Sequence, residues 1–534
     1  MRHDITDNFR SILDDAEKLF EGDSPFEEHE RIQARNRFRT WRTRLDEPCR
    51  VAVVGMVNSG KSTFINAMMG QDWAKVDANT ATGTICAMTN HEAPNPIKPV
   101  LCHYKDTTRH PVWITLQEAH NLQSITEEAL IHASDIEYLE FAMGKTASPM
   151  LMDFELVDTP GIGAIVGEDS EVHDRITYRF LEKADALILL IKGYTHEEDI
   201  PLLKRFCETC HKELNKADSA IFIVASQVDS NSGDTMNDLI LKKEEREFNI
   251  LHSVMKADMP ASTKVIGISA LLENVLRQMG EGRFIDLHQQ VRSGNTEVLQ
   301  DFRTAEGKKL KPHMRELLRK SILQEENPTL LAERLRYLSG VEEAKKHILR
   351  EMRVRKTVLR IERLWKEVKT YLEWDLNRLA AQRQEALRRE QAAFGRFCRM
   401  VEQDREFSSG KLGAALKEFM SNFRSDSYAA FEQQRKGLVT RLQNIGKDLE
   451  HLQKLADVYN RFYAERDHFT TEEAEEITRL CGMGGTAFST TAEEARKRDA
   501  YWRYKAQNDI LSADLFTDIA SVYAQWWTSL IQEQ

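Results

Sequence analysis

Apolar residues at Ile5, Phe9, Ile12, Leu13, Ala16, Leu19 and Phe20 recur every three or four positions, which predicts an amphipathic helix over 5–20. A second helix is predicted from Glu28 to Leu45, ending near Pro48, with its many arginines read as a solvated face. The period then changes. Val51–Val54, Ile136–Phe141, Met150–Val157, Ala184–Ile191, Ala220–Ala225 and Lys264–Ile268 are short apolar runs bounded by polar segments, as strands of one sheet require. From Val341 to Ser409 there is no proline and one glycine, Gly395, while Ile361, Trp365, Val368, Leu372, Leu376 and Leu379 step by three and four. This predicts a helix that could extend ~90 Å. A break at Phe407–Gly413 turns the chain into a second long helix, striped by Leu438, Leu442, Ile445, Leu449, Leu452, Leu455 and Tyr459. The last predicted helix, Leu511–Gln534, carries Phe516, Ile519, Val522, Trp526 and Leu530 at helical spacing and reads as core, with the first helix as its neighbour.

At 534 residues, this pattern divides into helices over 1–47, a strand-and-helix domain over 48–350 and a helical neck or stalk over 351–534. Thr470-x-x-Glu473 and Thr491-x-x-Glu494 read as two capping boxes flanking a glycine-rich connection near 480–491. Its Leu480, Met483 and Phe488 could meet a lipid or a partner, or simply join two helices. A net charge of −11 argues against general nucleic-acid binding. Seven irregularly spaced cysteines, and an N-terminus without an apolar signal core, predict a cytoplasmic protein, with peripheral membrane contact open. No run reaches the ~18 apolar residues of a spanning helix. Cys207-x-x-Cys210-His211 matches a haem-attachment spacing, but it lies in a charged helical segment and is not read as one.

Chemistry concentrates after the first strand. Gly55-x4-Gly60-Lys61-Ser62 satisfies the Walker A spacing, with an apolar strand before it and a helix-forming segment after. Such glycines turn backbone N–H groups of Gly55, Asn58, Ser59, Gly60 and Thr63 toward phosphate, Lys61 bridges the β- and γ-phosphates, and Ser62 offers a hydroxyl to Mg²⁺. In the threonine-rich segment Asp77–Asn90, Thr84, followed by Thr82, is the candidate to reach Mg²⁺ and the γ-phosphate. Asp158-Thr159-Pro160-Gly161 ends a predicted strand; Asp158 would hold the water shell of Mg²⁺, and the Gly161 amide would sense the γ-phosphate. Ser226-Gln227-Val228-Asp229 places Asp229 to accept both N–H donors of a guanine edge, with Gln227 where GTPases usually carry a base-stacking lysine. Ser269-Ala270 ends the last strand in a small-residue turn suited to the guanine carbonyl. Leu338-Ser339-Gly340 resembles the start of an ABC-type signature, which keeps a coiled-coil ATPase as a third alternative.

Together GMVNSGKST, the threonine-rich segment, DTPG, SQVD and ISA, followed by long proline-free helices, resemble the dynamin superfamily, and in particular bacterial dynamin-like proteins. The resemblance implies an α/β P-loop GTPase domain with a mixed, mainly parallel sheet, plus an extended all-α bundle or stalk. It implies GTP/GDP and Mg²⁺ as ligands, self-association through the GTPase heads, and work on a membrane such as remodelling. Ile162 follows Gly161 where Ras-like proteins place a water-orienting glutamine, and Asn58 stands where dynamins use a catalytic serine, so slow basal hydrolysis is expected. A GTP-dependent switch or scaffold that binds a protein partner without deforming a bilayer is the alternative.

Overall fold

The computed structural model describes residues 2–21, 24–56, 59–74, 84–106, 108–122, 135–144, 151, 154–159, 184–192, 221–229, 235–256, 264–302, 309–403, 426–482, 490–509 and 512–532. These form two compact units, one of residues 48–353 and one of residues 1–47 with 354–534.

The first unit is built on nine strands: β1 Cys49–Gly55, β2 Cys86–Thr89, β3 Val100–Tyr104, β4 Val112–Ile114, β5 Ile136–Ala142, β6 Phe154–Asp158, β7 Ala186–Lys192, β8 Ile221–Ser226 and β9 Val265–Gly267. They form one sheet in the order β4-β3-β5-β2-β6-β1-β7-β8-β9. The half from β6 to β9 is parallel throughout, while β2 joins β6 antiparallel and β3 pairs antiparallel with both β4 and β5. Strands β1, β6 and β8 are buried almost without interruption, which is why they read as dense apolar runs. The threonine-rich region instead yields the short strand β2 directly after Thr84 and Ile85.

Because β1, β6, β7, β8 and β9 run the same way, their carboxyl ends share one edge, the place where open parallel sheets bind ligands. The register Val53↔Asp158 sets the end of β6 beside the end of β1. On the other side, the helix Ala270–Arg292 packs on the helix Lys61–Met69, and the Asn274 amide donates to the Thr63 carbonyl (3.0 Å). Asn66, buried inside Lys61–Met69, pins the chain after that helix: its side chain donates to the Ala74 carbonyl and accepts from the Trp73 and Ala74 amides.

The second unit has a single hydrophobic core that gathers Ile5, Phe9, Phe20, Phe38, Ile361, Val368, Leu372, Leu442, Leu449, Trp502, Phe516 and Ile519. The helices Arg2–Lys18, Glu28–Asp46 and Asp426–Ala464 present the predicted stripes to it, as does the final helix, Ala513–Gln532. The long predicted helix runs as Val341–Thr370, a π-helical turn at Tyr371–Asp375 and Leu376–Gln403; the break at Phe407–Gly413 lies outside the described residues. The first helix is not the main neighbour of the last. Asp426–Ala464 is long enough to serve both in succession, Arg441 pairing with Asp15 of the first helix and Arg461 with Asp518 of the last, which also packs on the helix Ala492–Asn508. Among the described residues no helix is long and apolar enough to cross a membrane.

Both capping boxes form, at Thr470/Glu473 and Thr491/Glu494. Glu473 also accepts hydrogen bonds from Tyr501 and Lys505, and the Lys505 ammonium lies 5.0–5.7 Å from the ring centres of Phe469, Trp502 and Phe516. Burial works against the carboxylate charge, but Lys505, Tyr501 and the Thr470 amide outweigh it and hold the Glu473 pKa at about 2. This stabilisation is complete above the ordinary carboxylate value and is lost as pH falls toward 2. Glu473→Gln should therefore cost about 3 kcal/mol at pH 7, because it strands the Lys505 charge among aromatic rings. Thermal unfolding followed by tryptophan fluorescence should show the deficit at pH 7 and a narrowing gap toward pH 3.

Candidate nucleotide site

The turn after β1 is organised from within. The Lys61 ammonium donates to the carbonyls of Gly55 and Met56 (3.1 Å each), the Ser59 amide to Met56, and the Phe64 amide to Gly60, which stands at φ +89° before the helix Lys61–Met69. Lys61 is 7% exposed; burial lowers its pKa, and Asp158 opposes that shift. A buried cation must be held by hydrogen-bond acceptors, and here two backbone carbonyls do so.

Ser62 Oγ donates to Asp158 Oδ2 at 2.9 Å, joining the helix to the end of β6. Asp158 is fully buried, and burial raises its pKa to about 6 against the opposing effects of Lys61 and Ser62. Its second oxygen, Oδ1, and Ser59 Oγ are buried without a hydrogen-bond partner among the described residues. An orphaned carboxylate oxygen next to a serine hydroxyl is a hard-oxygen donor set, and it fits Mg²⁺. Thr159 ties the same strand end to β1, its hydroxyl donating to the Val53 carbonyl (2.8 Å).

Thr84 is buried, with its hydroxyl turned to the Leu122 carbonyl (3.1 Å). Asn58, Thr82, Gly161 and Ile162 lie outside the described residues.

At the ends of β8 and β9 the remaining candidates converge. Ser226 donates to the Ser59 carbonyl (2.7 Å) and to Ile191 (3.2 Å), linking β8 to the phosphate turn and to β7. Sequence reasoning gave Ser226 no role of its own, although its place at the head of SQVD was the available signal. Gln227 adopts φ +56°, its carbonyl held by Arg246, and its side-chain amide lies against Gly60. A non-glycine residue in this region marks a constrained site. Asp229 is 2% exposed. Burial disfavours its charge, but hydrogen bonds from His313 (Nε2–Oδ2, 3.0 Å) and Ser269 prevail and lower its pKa. Ser269 caps the helix Ala270–Arg292, its hydroxyl accepting from the Leu272 amide, so Ala270 begins that helix beside Asp229. The structure thus brings Gly55, Ser59, Gly60, Lys61, Ser62, Thr63, Asp158, Gln227, Asp229, Ser269 and Ala270 to one edge of the sheet.

The model of the Dynamin family matches residues 51–254, the stretch holding all of these except the last strand and its turn. Isoniazid-induced protein IniC of Mycobacterium tuberculosis is 27% identical over 264 residues, covering 48% of this chain and 49% of that protein. The probable transmembrane GTPase FZO-like, chloroplastic, of Arabidopsis thaliana is 28% identical over 151 residues, 28% of this chain and 12% of that one. This chain therefore spans about half the length of IniC and less of FZO-like. A solved structure of an oligomerised bacterial dynamin pair, described in connection with long-range sensing and tethering of membranes, aligns over 85% of this chain and 78% of its own at 15% identity, with a TM-score of 0.30. With the family model lying on the phosphate turn and strands β1 to β8, residues 51–254 of this chain are similar to the Dynamin family.

Proposed function

We propose that this protein binds GTP with Mg²⁺ and hydrolyses it to GDP and phosphate, using nucleotide state to control pairing of its heads and movement of its helical unit in work at a membrane. The observation that carries the reading is the Lys61–Ser62–Asp158 cluster at the carboxyl edge of a parallel sheet, where a buried carboxylate oxygen has no hydrogen-bond partner among the described residues. Lys61 gives up two backbone carbonyls to meet the β- and γ-phosphates. Amides of Gly55 to Thr63, including Asn58, cradle the phosphates, and Gly161 follows the γ-phosphate. Ser62, Thr84 and, through water, Asp158 hold Mg²⁺, which supplies neutralisation of phosphate charge. Thr84 must release Leu122 to do so. Asp229 reads the guanine edge, with Gln227, Ser269 and Ala270 around the base. The relative named as a GTPase supports hydrolysis as the activity.

The test is steady-state GTP hydrolysis per molecule across protein concentrations, with and without acidic liposomes, and with Lys61→Ala as the blank. Specific activity should climb with concentration, as pairing of heads encloses the reacting phosphate, and climb again on liposomes.

A second reading, a switch or scaffold acting on a protein partner without deforming a bilayer, is favoured by Leu480. That residue, one of the three apolar candidates for lipid contact, is 3% exposed and packs in the helical core; Met483 and Phe488 lie outside the described residues. A flat, slow rate unmoved by lipid would favour it.

A further inference from the structure

Asp229 is held from a direction that the motifs around it do not supply. His313 is the second residue of the helix Pro312–Gln324, 84 positions along the chain from Asp229, and its Nε2–H reaches Oδ2 at 3.0 Å. Its placement is firm. Pro312 fixes the first helical position, and Met314, Leu317 and Leu318 are buried in the same apolar cluster as Val228, the residue next to Asp229. The loop carrying the carboxylate and the helix carrying the imidazole therefore share one core.

We propose that His313 is a base-specificity residue of this site, orienting the Asp229 carboxylate from the side so that it faces the two N–H donors of a guanine edge. The proposal rests on the reading of the site as a guanine-nucleotide site. An ionised carboxylate can accept several hydrogen bonds at once, and His313, Ser269 and the backbone amide of Asp229 hold it from the protein side. A buried carboxylate without such donors would rotate or take up a proton, and either change destroys the acceptor pair that separates guanine from other bases. His313 touches Asp229 rather than the nucleotide, and it is a positioning residue.

The experiment is equilibrium titration of the full chain, with Mg²⁺, using GDP, IDP, which lacks the 2-amino donor, and ADP. Wild type should prefer GDP to IDP and both to ADP. His313→Ala should weaken GDP by about tenfold or more and bring the GDP/IDP ratio toward one. His313→Gln, which keeps a side-chain N–H, should restore much of that ratio, and the melting temperatures of the nucleotide-free variants should stay close together. Three results overturn the proposal. Tighter GDP binding by His313→Ala would show that the imidazole competes with the base. Equal losses for GDP and IDP, which leave the ratio unchanged, would show a purely structural contact. A wild type that binds ADP as well as GDP would overturn the guanine reading itself and is separately recognisable.

Discussion

Asp158→Asn should stabilise the nucleotide-free protein while weakening its hold on Mg²⁺-GTP. Burial raises the Asp158 pKa to about 6, above its ordinary 3.8, so the folded protein keeps the proton more tightly than the unfolded chain does. Below 3.8 the group is protonated in both states and contributes nothing. As pH rises through 6 the folded state must carry a desolvated charge, a penalty of about 3 kcal/mol that is fully present above that value. Asparagine removes the charge and can still accept from Ser62. The melting temperature of the variant should exceed that of wild type by roughly 5 °C at pH 7.5 and match it near pH 4. With Mg²⁺ and GTP added the order should reverse, since loss of the carboxylate should cost about 10- to 100-fold in metal affinity. Differential scanning fluorimetry across pH, with and without Mg²⁺-GTP, measures both. A variant less stable than wild type at pH 7.5 without nucleotide would mean that the bond between Ser62 and the ionised carboxylate outweighs the burial penalty.

Gly340→Ala should be the most damaging small substitution at the base side of the site. Gly340 ends the helix Pro328–Ser339 at φ +70°, and a Cβ there would overlap the carbonyl oxygen of Gly267 at the end of β9. One residue earlier, the Ser339 carbonyl accepts from the amide of Ser269 (2.8 Å). Relief of the overlap must therefore move the turn that caps Ala270–Arg292 and supports Asp229. Left-handed strain and the steric conflict together should cost about 3 kcal/mol. Gly294→Ala is the matched control: Gly294 has φ +98°, with nothing within 4 Å of an added Cβ among the described residues, so the left-handed strain is what it tests. Chemical denaturation should separate the two variants by about 2 kcal/mol, and only Gly340→Ala should lose GTP affinity. Equal behaviour of the two would show that the 339–340 turn does not hold the base loop.

The parts of this architecture legible in the sequence are those where one physical requirement dominates several consecutive residues. β1 and β8 are buried on both faces and must be apolar throughout, and the stripe from Leu438 to Leu455 faces a core over several turns. The phosphate turn was legible because its glycines, lysine and serine answer to one ligand geometry. The edge strand β4 and its neighbour β3 were not, since partial exposure leaves residues such as His103, Tyr104 and Val112 there and weakens the alternation. His313 was invisible for a different reason. The apolar period of its helix reports Met314, Leu317 and Leu318, whereas the polar residue beside them answers to a partner far away in the chain. The π turn at Tyr371–Asp375 also leaves the stripe through Val368, Leu372 and Leu376 unbroken, so periodicity gave no sign of it.

The core of the helical unit is assembled from chain segments separated by the whole nucleotide domain: Arg441, for instance, bonds to Ser11 across 430 positions. At ordinary rates of synthesis the ribosome needs roughly 20 to 90 s to cover that distance. Throughout that interval Phe9, Ile12 and Phe20, which end up fully buried, have only part of their final surroundings, such as Phe26 and Phe38 beside Phe20. The sheet domain of residues 48–353 can thus be completed while the apolar face of the helix Arg2–Lys18 still lacks the later half of its core.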